Sequence, residues 1–522
     1  MAEPMKRLRR GALLVGLCVL CIAAACARAI PAEQPAQHVA TNATRPAPVT
    51  VSVPTATAVP SPSPAYPGTY AGMPTPNPTP VGRSEGTGVE SYVVQPGETL
   101  SLIAAVFGCT VDEVVAANGL ANADSIRAGQ TLHMPVSATE TGPALKLVPD
   151  SEMVYGPAYI HFDLAGFVSG QGGYLAGYAE EVEGDLLTGA EIVQLVSQRF
   201  SVGPRVLLAL LELRSGWVTQ PQPAAETLVY PLGYDRDYHE GLFLQLGWAA
   251  VRLNEGYYGW KGGDRATVRL GNGVRAAIAP ELNPGTAGVQ NCLAELSITR
   301  DEWLALTAPE GFQATYERLF GNPFAYTVDA LVPADLAQPE LRLPWESGRT
   351  WYYTGGPHGG WGNGSGRAAL DFVPGDKLLG CVPSSEWVAA AASGRVIRSE
   401  NGQVVVDLDG DGFEQSGWVL LYMHVYREDR VEAGTYVERG QRIGHPSCEG
   451  GVADATHLHI ARRYNGEWIP AGSGPLPMVL SGWTAHEDAM PYEGTLTRGD
   501  EVRTACECWV DDLNGLVSDN VP

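Results

Sequence analysis

The proline-rich tract after residue 25 is the feature that most restricts how this chain can fold. From about residue 26 to residue 90 the sequence is dominated by Pro, Ala, Thr, Ser and Val, and in Pro74–Pro80 every second residue is proline. Proline lacks a backbone N–H and fixes φ, so such a segment joins neither helices nor sheets and favours extended polyproline II. The tract therefore predicts a disordered tether with a reach of roughly 100–180 Å. The folded domains must follow it.

The residues before the tract predict export from the cytoplasm. A basic segment, Lys6–Arg10, precedes an apolar run over residues 11–25, which is shorter than the roughly 20 residues that span a membrane. The run ends in small residues directly before Cys26, and this arrangement resembles a bacterial lipobox. The resemblance implies that residues 1–25 are a lipoprotein signal peptide and that a lipid on Cys26 anchors the chain to the outer face of the membrane. An ordinary signal peptide and an uncleaved anchor are the alternatives, and all three place the domains where disulfides persist.

Length and charge narrow the classes of protein that this chain can belong to. With 522 residues, 45% of them hydrophobic, the chain is long enough for about two to four domains with their own cores. The formal net charge of -24 argues against nucleic acid as a partner, and we expect a monomer. The cysteines form no regular framework. Cys381 and Cys448 are one candidate disulfide, but Cys506 and Cys508 leave the pairing open.

Residues 91–136 have the pattern of a small strand–helix–helix–strand unit. A short strand at Tyr92–Val94 precedes a Pro-Gly turn and Thr99, which is placed to cap a helix with apolar residues at i, i+3 and i+4 spacing. Thr110–Glu113 is a capping box for a second helix that ends near Asn118–Gly119. A final strand closes the unit.

This segment resembles a LysM domain. The matching stretches are Tyr92–Leu100, Asn118–Leu120 and Ile126–Leu132. The resemblance implies a βααβ fold that binds N-acetylglucosamine-containing glycans such as peptidoglycan, in a groove between the first strand–helix turn and the loop before the last strand. The residues that would line this groove are Gly97, Glu98, Thr99, Asn118, Gly119 and Leu120.

Residues 150–340 are predicted to form a helical middle domain. Thr188–Glu191 is a further capping box, and Pro204 begins an apolar run typical of a buried helix. The run Pro204–Gly216 resembles the first active-site helix of lysozyme-like lytic transglycosylases, but Arg214 stands where that family has its catalytic Glu. Arginine keeps its proton at physiological pH and cannot be a general acid. We therefore expect no glycosidase activity, in either a degenerate lysozyme-like fold or an unrelated spacer or glycan-docking domain.

From residue 341 to residue 475 the pattern becomes β-rich, with alternating strands separated by short turns, which predicts an all-β antiparallel domain. His457 and His459 lie two residues apart in a strand and so project from one face. Asp371 lies between Leu and Phe in another apolar strand, where a carboxylate needs a strong partner such as a metal. His358, in a Gly-rich stretch, and His424, at a strand end, complete the candidate set.

Taken in this order, these residues resemble peptidase family M23, the lysostaphin-like or LytM group of zinc endopeptidases that cut peptidoglycan peptides. The long spacing from His to Asp, and Cys448–Gly451 before the H-x-H pair, are most similar to its β-lytic branch. The resemblance implies one Zn²⁺ held by three residues, with the fourth position left to water, and two catalytic histidines. The implied zinc ligands are His358, Asp371 and His459. His457 would orient or deprotonate the water, and His424 would stabilise the tetrahedral intermediate.

The sequence thus predicts a multidomain, zinc-dependent peptidoglycan endopeptidase that LysM anchors to glycan. The first alternative is a non-catalytic M23-like activator of cell-wall amidases, which the complete ligand set disfavours. The second makes the middle domain the hydrolase, which Arg214 disfavours.

Three further features receive no chemistry. His445 and His486 have no motif around them and are expected to be structural. Asp407–Gly412 has the spacing of half a calcium loop, but Trp418 replaces the closing Glu, so we expect a solvated hairpin turn. Residues 476–522 are expected to add strands that pack on the catalytic domain as a β extension.

Overall fold

The computed structural model describes residues 87–94, 98–107, 109–137, 140–236, 238–488 and 490–518. The expected signal peptide, Cys26, the first 61 residues of the expected tether and Gly97 lie outside the described residues. Within the described ranges, no helix is both long enough and apolar enough to cross a membrane.

The first unit has the predicted βααβ order. Its elements are β1 (Thr87–Val93), α1 (Leu100–Phe107), α2 (Val111–Asn118) and β2 (Thr131–Ser137). The two strands pair antiparallel, with Tyr92 opposite Leu132. Thr110 caps α2 through the predicted reciprocal hydrogen bonds with Glu113. The apolar face of α1 is buried, as its spacing predicts; the residues are Leu100, Ile103, Ala104 and Phe107.

The middle domain is helical, with two small hairpins. Its elements are α3 (Asp150–Met153), α4 (Leu164–Gln171), α5 (Tyr174–Gly177), β3 (Ala179–Val182), β4 (Asp185–Thr188), α6 (Gly189–Phe200), α7 (Pro204–Ser215), α8 (Leu242–Gly262), β5 (Thr267–Arg269), β6 (Arg275–Ala277), α9 (Pro284–Glu295), α10 (Arg300–Thr307) and α11 (Ala314–Phe320). The predicted capping box of Thr188 and Glu191 opens α6. Gly256 allows α8 and α9 to approach closely. A Cβ at this position would lie only 2.8 Å from the Ala287 carbonyl oxygen.

The segment from residue 341 onward is an antiparallel β structure, as predicted. Its strands are β7 (Thr350–His358), β8 (Ala369–Val373), β9 (Val388–Ala389), β10 (Gly394–Glu400), β11 (Gln403–Asp407), β12 (Trp418–Met423), β13 (Tyr436–Val437), β14 (Arg442–Gly444), β15 (Leu458–Tyr464) and β16 (Glu467–Trp468). The main sheet has nine strands in the order β13-β10-β11-β12-β15-β8-β7-β21, with β16 paired to β15. Its last member, β21 (Gly515–Val517), comes from the chain end.

The C-terminal segment is more closely built into the catalytic domain than a packed β extension would be. It adds the four-stranded sheet β17 (Val479–Leu480), β18 (Trp483–Glu487), β19 (Gly494–Arg498) and β20 (Glu501–Thr504), and the short helix α12 (Asp511–Asn514). Strand β21 then pairs with β7, with Leu516 opposite Trp351. Strand β21 has only three residues, which are too few to show an alternating pattern. Its position also depends on the open edge of β7, which is far away in the sequence. Cys381 pairs with Cys448, and Cys506 with Cys508.

A buried ion pair fastens the first helix of the middle domain to α7. Arg205 Nε donates to Glu152 Oε2 at 2.9 Å, and the two side chains are 4% and 0% exposed. Tyr159 and Tyr316 also donate to this carboxylate. The Arg205 guanidinium lies 3.9 Å from the centre of the Tyr326 ring. Every oxygen of the buried carboxylate is therefore engaged.

We expect Glu152→Gln to destabilise the middle domain by about 3–5 kcal/mol, because the change leaves the Arg205 charge buried without its partner. Urea-induced unfolding followed by tryptophan fluorescence measures the effect. The control is Glu501→Gln, which weakens the half-exposed pair with Arg498 and should cost less than about 1 kcal/mol. Equal losses in the two variants would contradict the expectation.

Candidate metal centre

Strand pairing in the main sheet brings the three predicted zinc ligands together. On β15, His459 lies opposite Asp371 of β8, and Asp371 lies opposite Gly355 of β7, the strand that ends at His358. Side chains directly opposite each other on antiparallel strands are about 4.5–5.5 Å apart at Cβ. Three adjacent strands therefore contribute one ligand each to a single point.

Gly355 leaves the space in which Asp371 can face its neighbours. A Cβ on Gly355 would lie 2.5 Å from Asp371 Oδ2, closer than real Cβ contacts come. The pairing of β7 with β8 is also irregular on both sides of Gly355. Irregular pairing of this kind re-aims side chains and is common beside functional sites.

The three residues form a compact, buried group. Their ligand atoms all lie within 4.8 Å of one another. Asp371 Oδ1 is 3.3 Å from His358 Nε2 and 3.2 Å from His459 Nδ1, and the two ring nitrogens are 3.0 Å apart. The exposed fractions of His358, Asp371 and His459 are 2%, 7% and 7%.

Backbone carbonyls fix the tautomers of both histidines. His358 Nδ1 donates to the Gly356 carbonyl at 2.8 Å, and His459 Nε2 donates to the Gly360 carbonyl at 3.1 Å. Because a neutral imidazole carries one proton, the other nitrogen of each ring faces Asp371 as a lone pair. Hydrogen bonds of this kind are the usual support of a histidine that ligates a metal.

Two lone pairs and a carboxylate oxygen that face one another repel unless a cation lies among them. Asp371 Oδ1 is buried, and no donor among the described residues makes a hydrogen bond to it. Burial lowers the pKa of His459, which disfavours a proton there. The donor set therefore fits a metal ion, and zinc accepts both donor types.

Two further histidines lie beside this group. His457 Nε2 is 3.8 Å from Asp371 Oδ1, and the His424 and His457 ring centroids are 4.3 Å apart. Each ring donates Nδ1–H to a backbone carbonyl, His424 to Glu449 at 3.1 Å and His457 to Ala455 at 2.8 Å. Both rings thus present an unprotonated Nε2. Burial, together with the neighbouring imidazoles, lowers the pKa of His424 to about 3, so its ring is neutral at physiological pH.

His424 has a strained backbone that the loop before the H-x-H pair holds in place. Its φ is +64°, in the left-handed region that residues with side chains seldom adopt. Its carbonyl accepts hydrogen bonds from both the N–H of Ser447, at 2.6 Å, and the Ser447 hydroxyl, at 2.9 Å. The adjacent Cys448 is tied to Cys381. Strain of this kind persists only where the surroundings fix it, and it is concentrated at functional sites.

Tyr492 is a residue of the site that the sequence did not point to. Its ring stacks on His358, with centroids 4.1 Å apart and an interplanar angle of 20°. Its carbonyl accepts the N–H of Gly356 at 2.7 Å. The residue is 56% exposed, but the partial desolvation of its hydroxyl, and then the charge of Asp371, raise the pKa of that hydroxyl to about 12, so the phenol keeps its proton. No motif marks this position, because the contact depends on how the C-terminal segment folds back onto β7.

The predicted glycan-binding residues of the first unit divide into two kinds. Thr99 and Gly119 are exposed, and Leu120 is half-buried. The side-chain amide of Asn118, in contrast, is engaged within the domain. It donates hydrogen bonds to the Val114 and His133 carbonyls and accepts one from the N–H of His133. Glu98 accepts a hydrogen bond from the Tyr92 hydroxyl at 2.8 Å.

The remaining acidic candidates are engaged in local structure. In the Asp407–Gly412 loop, Asp407 is buried and accepts N–H groups of its own turn. Carboxylate oxygens of Asp407, Asp409 and Asp411 lie within 4.8 Å of one another. Glu212 on α7 is 7% exposed and bonds the Thr219 hydroxyl at 2.6 Å and Arg318 at 3.0 Å. Arg214 donates to the Leu232 carbonyl at 3.0 Å.

The fold and the site together are those of a β-domain with a candidate metal centre, in a chain that also contains two other units. Three family models match the chain: the LysM domain at residues 92–135, the LasA N-terminal domain at residues 146–334, and peptidase family M23 at residues 381–470. The M23 match begins after His358 and Asp371, so the assignment of these two residues to the site depends on the geometry of the structure and not on that match. The match of residues 146–334 identifies the middle domain by a family that the lysozyme-like comparison did not suggest.

Solved structures similar to this chain include several M23 peptidases. The M23 metalloprotease pseudoalterin from the deep sea is 24% identical, with 32% of this chain and 96% of that chain covered and a TM-score of 0.27. The catalytic domain of lysostaphin from Staphylococcus simulans is 27% identical, with 23% and 88% covered and a TM-score of 0.17. A zinc-containing peptidase from Vibrio cholerae is 20% identical, with 28% and 40% covered and a TM-score of 0.17. No curated protein matches.

The chain therefore carries a LysM domain, a LasA N-terminal domain and a peptidase family M23 domain, in that order.

We expect Asp371→Asn to abolish stoichiometric metal binding, because the amide keeps the shape of the carboxylate but removes the negative charge that balances the cation. Elemental analysis of the dialysed full chain measures the metal content. Asp376→Asn is the matched control, since Asp376 bonds Ser384 outside the centre. A full metal content in the Asp371 variant would exclude this carboxylate as a ligand.

Proposed function

We propose that this protein is a zinc-dependent endopeptidase that hydrolyses stem-peptide or cross-bridge amide bonds of peptidoglycan. The observation that carries the proposal is the meeting of His358 Nε2, Asp371 Oδ1 and His459 Nδ1 at one buried point, with no hydrogen-bond donor among the described residues on Asp371 Oδ1. Two histidines and one carboxylate leave one position of a tetrahedral zinc open, which is the arrangement of catalytic rather than structural sites. Bound there, zinc would polarise the scissile carbonyl and lower the pKa of a water to near 7.

The two remaining histidines move the protons. Because Nδ1–H of His457 is held by the Ala455 carbonyl, its Nε2 is free to accept a proton from the attacking water. The imidazolium that results can pass this proton to the leaving amine. His424 has the same tautomer, so it can donate to the developing oxyanion only after it takes up a proton itself. Tyr492, whose phenol stays protonated, stacks on the ligand His358 and steadies its ring.

The substrate class follows from the combination of domains. LysM domains bind N-acetylglucosamine-containing glycans and M23 domains cut peptides, and both occur together in peptidoglycan. The LysM domain, through Gly97, Glu98, Thr99, Gly119 and Leu120, would hold the glycan. The role of Asn118 would be indirect, through the shape of the loop that its amide supports.

The location follows from the N-terminus. A lipid on Cys26 would anchor the protein to the outer face of the membrane, and the proline-rich tether would let the domains reach the wall. The Cys381–Cys448 pair is consistent with such an oxidising compartment. The complete set of ligands and catalytic histidines supports an enzyme over a non-catalytic activator.

We expect His424→Ala and His457→Ala each to keep zinc but to lose hydrolysis by about 10²–10⁴-fold, the usual contribution of a general acid–base group. Purified full chain is incubated with peptidoglycan, and new amino termini among the released fragments are read by mass spectrometry. His486→Ala is the matched control, because His486 is exposed and bonds only Thr497 among its described neighbours. Undiminished release by both catalytic variants would overturn the assignment, and a wild-type chain with neither zinc nor release would favour the activator.

We expect Cys26→Ser to move the protein from the membrane fraction to the soluble fraction, because serine cannot carry the thioether-linked lipid. Cell fractionation with immunoblotting measures the distribution, and Cys18→Ser, within the predicted signal peptide, is the control. Membrane retention of the Cys26 variant would favour the uncleaved anchor.

A further inference from the structure

The segment that links two of the proposed zinc ligands is unusually poor in side chains. Residues 359–366, here called the glycine loop, contain five glycines in eight residues and connect His358 to the strand of Asp371. Glycine loses more conformational freedom on folding than any other residue, so such a loop is costly to order. Something outside the loop must hold its shape if the loop has a part in the metal centre.

The glycine loop does take part in the metal centre. The Gly360 carbonyl accepts the Nε2–H of His459, and this bond leaves the lone pair of Nδ1 facing Asp371. Inside the loop, Trp361 N–H and the Gly362 carbonyl both bond the Ser365 hydroxyl at 2.9 Å. These local bonds define a turn, but they do not attach it to the rest of the protein.

Part of the attachment is within the β domain, since Trp361 lies in an apolar cluster with Trp468 and a Cβ on Gly360 would lie 2.4 Å from the Trp468 ring. The other part comes from α6 of the middle domain. Trp361, the only aromatic residue of the loop, is 8% exposed. The Arg199 guanidinium lies 5.2 Å from the centre of the Trp361 ring, and Phe200 meets that ring edge-on with centroids 6.4 Å apart. Arg199 is held in turn by two parallel hydrogen bonds to Glu183, at 2.7 and 2.6 Å.

Helix α8 of the middle domain closes the other side of the loop. Gly364 has a φ of +87°, and a Cβ there would lie 3.0 Å from the Val251 carbonyl oxygen. A Cβ on Gly366 would lie 3.5 Å from the Tyr258 ring. The glycines thus allow the helix to approach the loop backbone directly, which a loop with larger side chains would prevent.

We propose that the middle domain positions the metal centre: Arg199 and Phe200 hold Trp361, and Trp361 holds the Gly360 carbonyl against His459. The proposal rests on the zinc site of the proposed function, to which it adds a dependence on a second domain. Without the contact, the glycine loop gains conformations in which the Gly360 carbonyl no longer accepts the His459 proton. His459 then spends part of its time in the wrong tautomer or rotamer, and zinc affinity falls. Trp361, Arg199 and Phe200 are positioning residues.

The test measures zinc affinity in the full chain, by competition with a chelator of known affinity, and does not depend on activity. Trp361→Ala removes the loop side of the contact, and Phe200→Ala removes the side that α6 contributes. Each is expected to raise the zinc dissociation constant about 10–100-fold, the usual effect of losing an outer support of a metal ligand. Trp361→Phe keeps a ring against Arg199 and should restore most of the affinity. The double variant should bind zinc no more weakly than the worse of the two single variants, because both substitutions remove the same contact.

The matched control breaks the same domain interface away from the loop. Lys261 on α8 pairs with the buried Glu467, and Lys261→Met removes this ion pair while keeping the aliphatic stem. We expect a lower melting temperature of the metal-free chain with an unchanged zinc dissociation constant. If Lys261→Met weakens zinc as much as Trp361→Ala does, the effect is a general loosening of the interface and the proposal is wrong.

Further outcomes separate this proposal from the proposed function. A wild-type chain that binds one zinc tightly, with Trp361→Ala and Phe200→Ala within twofold of it, overturns the positioning role and leaves the enzyme intact. A wild-type chain that binds no zinc overturns the proposed function itself. Should Trp361→Ala fail to fold, Phe200→Leu gives the same comparison with a smaller change in volume.

Discussion

The buried oxygen Oδ1 of Asp371 is the group on which the rest of the centre depends. A carboxylate in an apolar strand costs several kcal/mol unless donors or a cation compensate it. Hydrogen bonds cannot do so here, because the protons of His358 and His459 are committed to the Gly356 and Gly360 carbonyls on the far sides of the rings. A cation is the compensation that remains. Metal binding would therefore be coupled to the stability of the sheet that carries these residues.

The middle domain and the catalytic domain share buried charges, which argues against two bodies that merely touch. Glu467 of β16 is 4% exposed and bonds Lys261 and Tyr257 of α8. Arg463 of β15 is 1% exposed, pairs with Glu414 and reaches the Ser201 hydroxyl of the middle domain at 3.2 Å. Separating the two domains would return these charged groups to water, but it would also expose the apolar ring of Trp468 to water. The interface that positions the glycine loop is thus built as a permanent one.

The features predicted from the sequence are those that depend on short segments of the chain. The capping boxes at Thr110 and Thr188 and the strand that carries His459 follow from spacing within short segments. The positions of Tyr492 and Trp361 do not, because each contact joins segments far apart in the chain. The buried pattern of α7 is equally compatible with several helical folds, so it could suggest a lysozyme-like domain where the family match indicates another. The tautomer of His424 also depends on a carbonyl of a distant loop, at Glu449.

That tautomer restricts the order of proton transfers. With Nδ1–H bonded to backbone carbonyls, neither His424 nor His457 can donate from Nε2 in its neutral form. In the proposed reaction, the water would therefore have to lose its proton before either ring could stabilise negative charge on the substrate. The pKa of His424, about 3 because the ring is buried beside other imidazoles, makes it a poor proton acceptor, and His457 is the more exposed ring at 17% of its side chain. In the proposed reaction, His457 would thus take the proton of the water first and pass it to the leaving amine, and His424, with its ring centroid 4.3 Å from that of His457, could donate to the oxyanion only while it held that same proton.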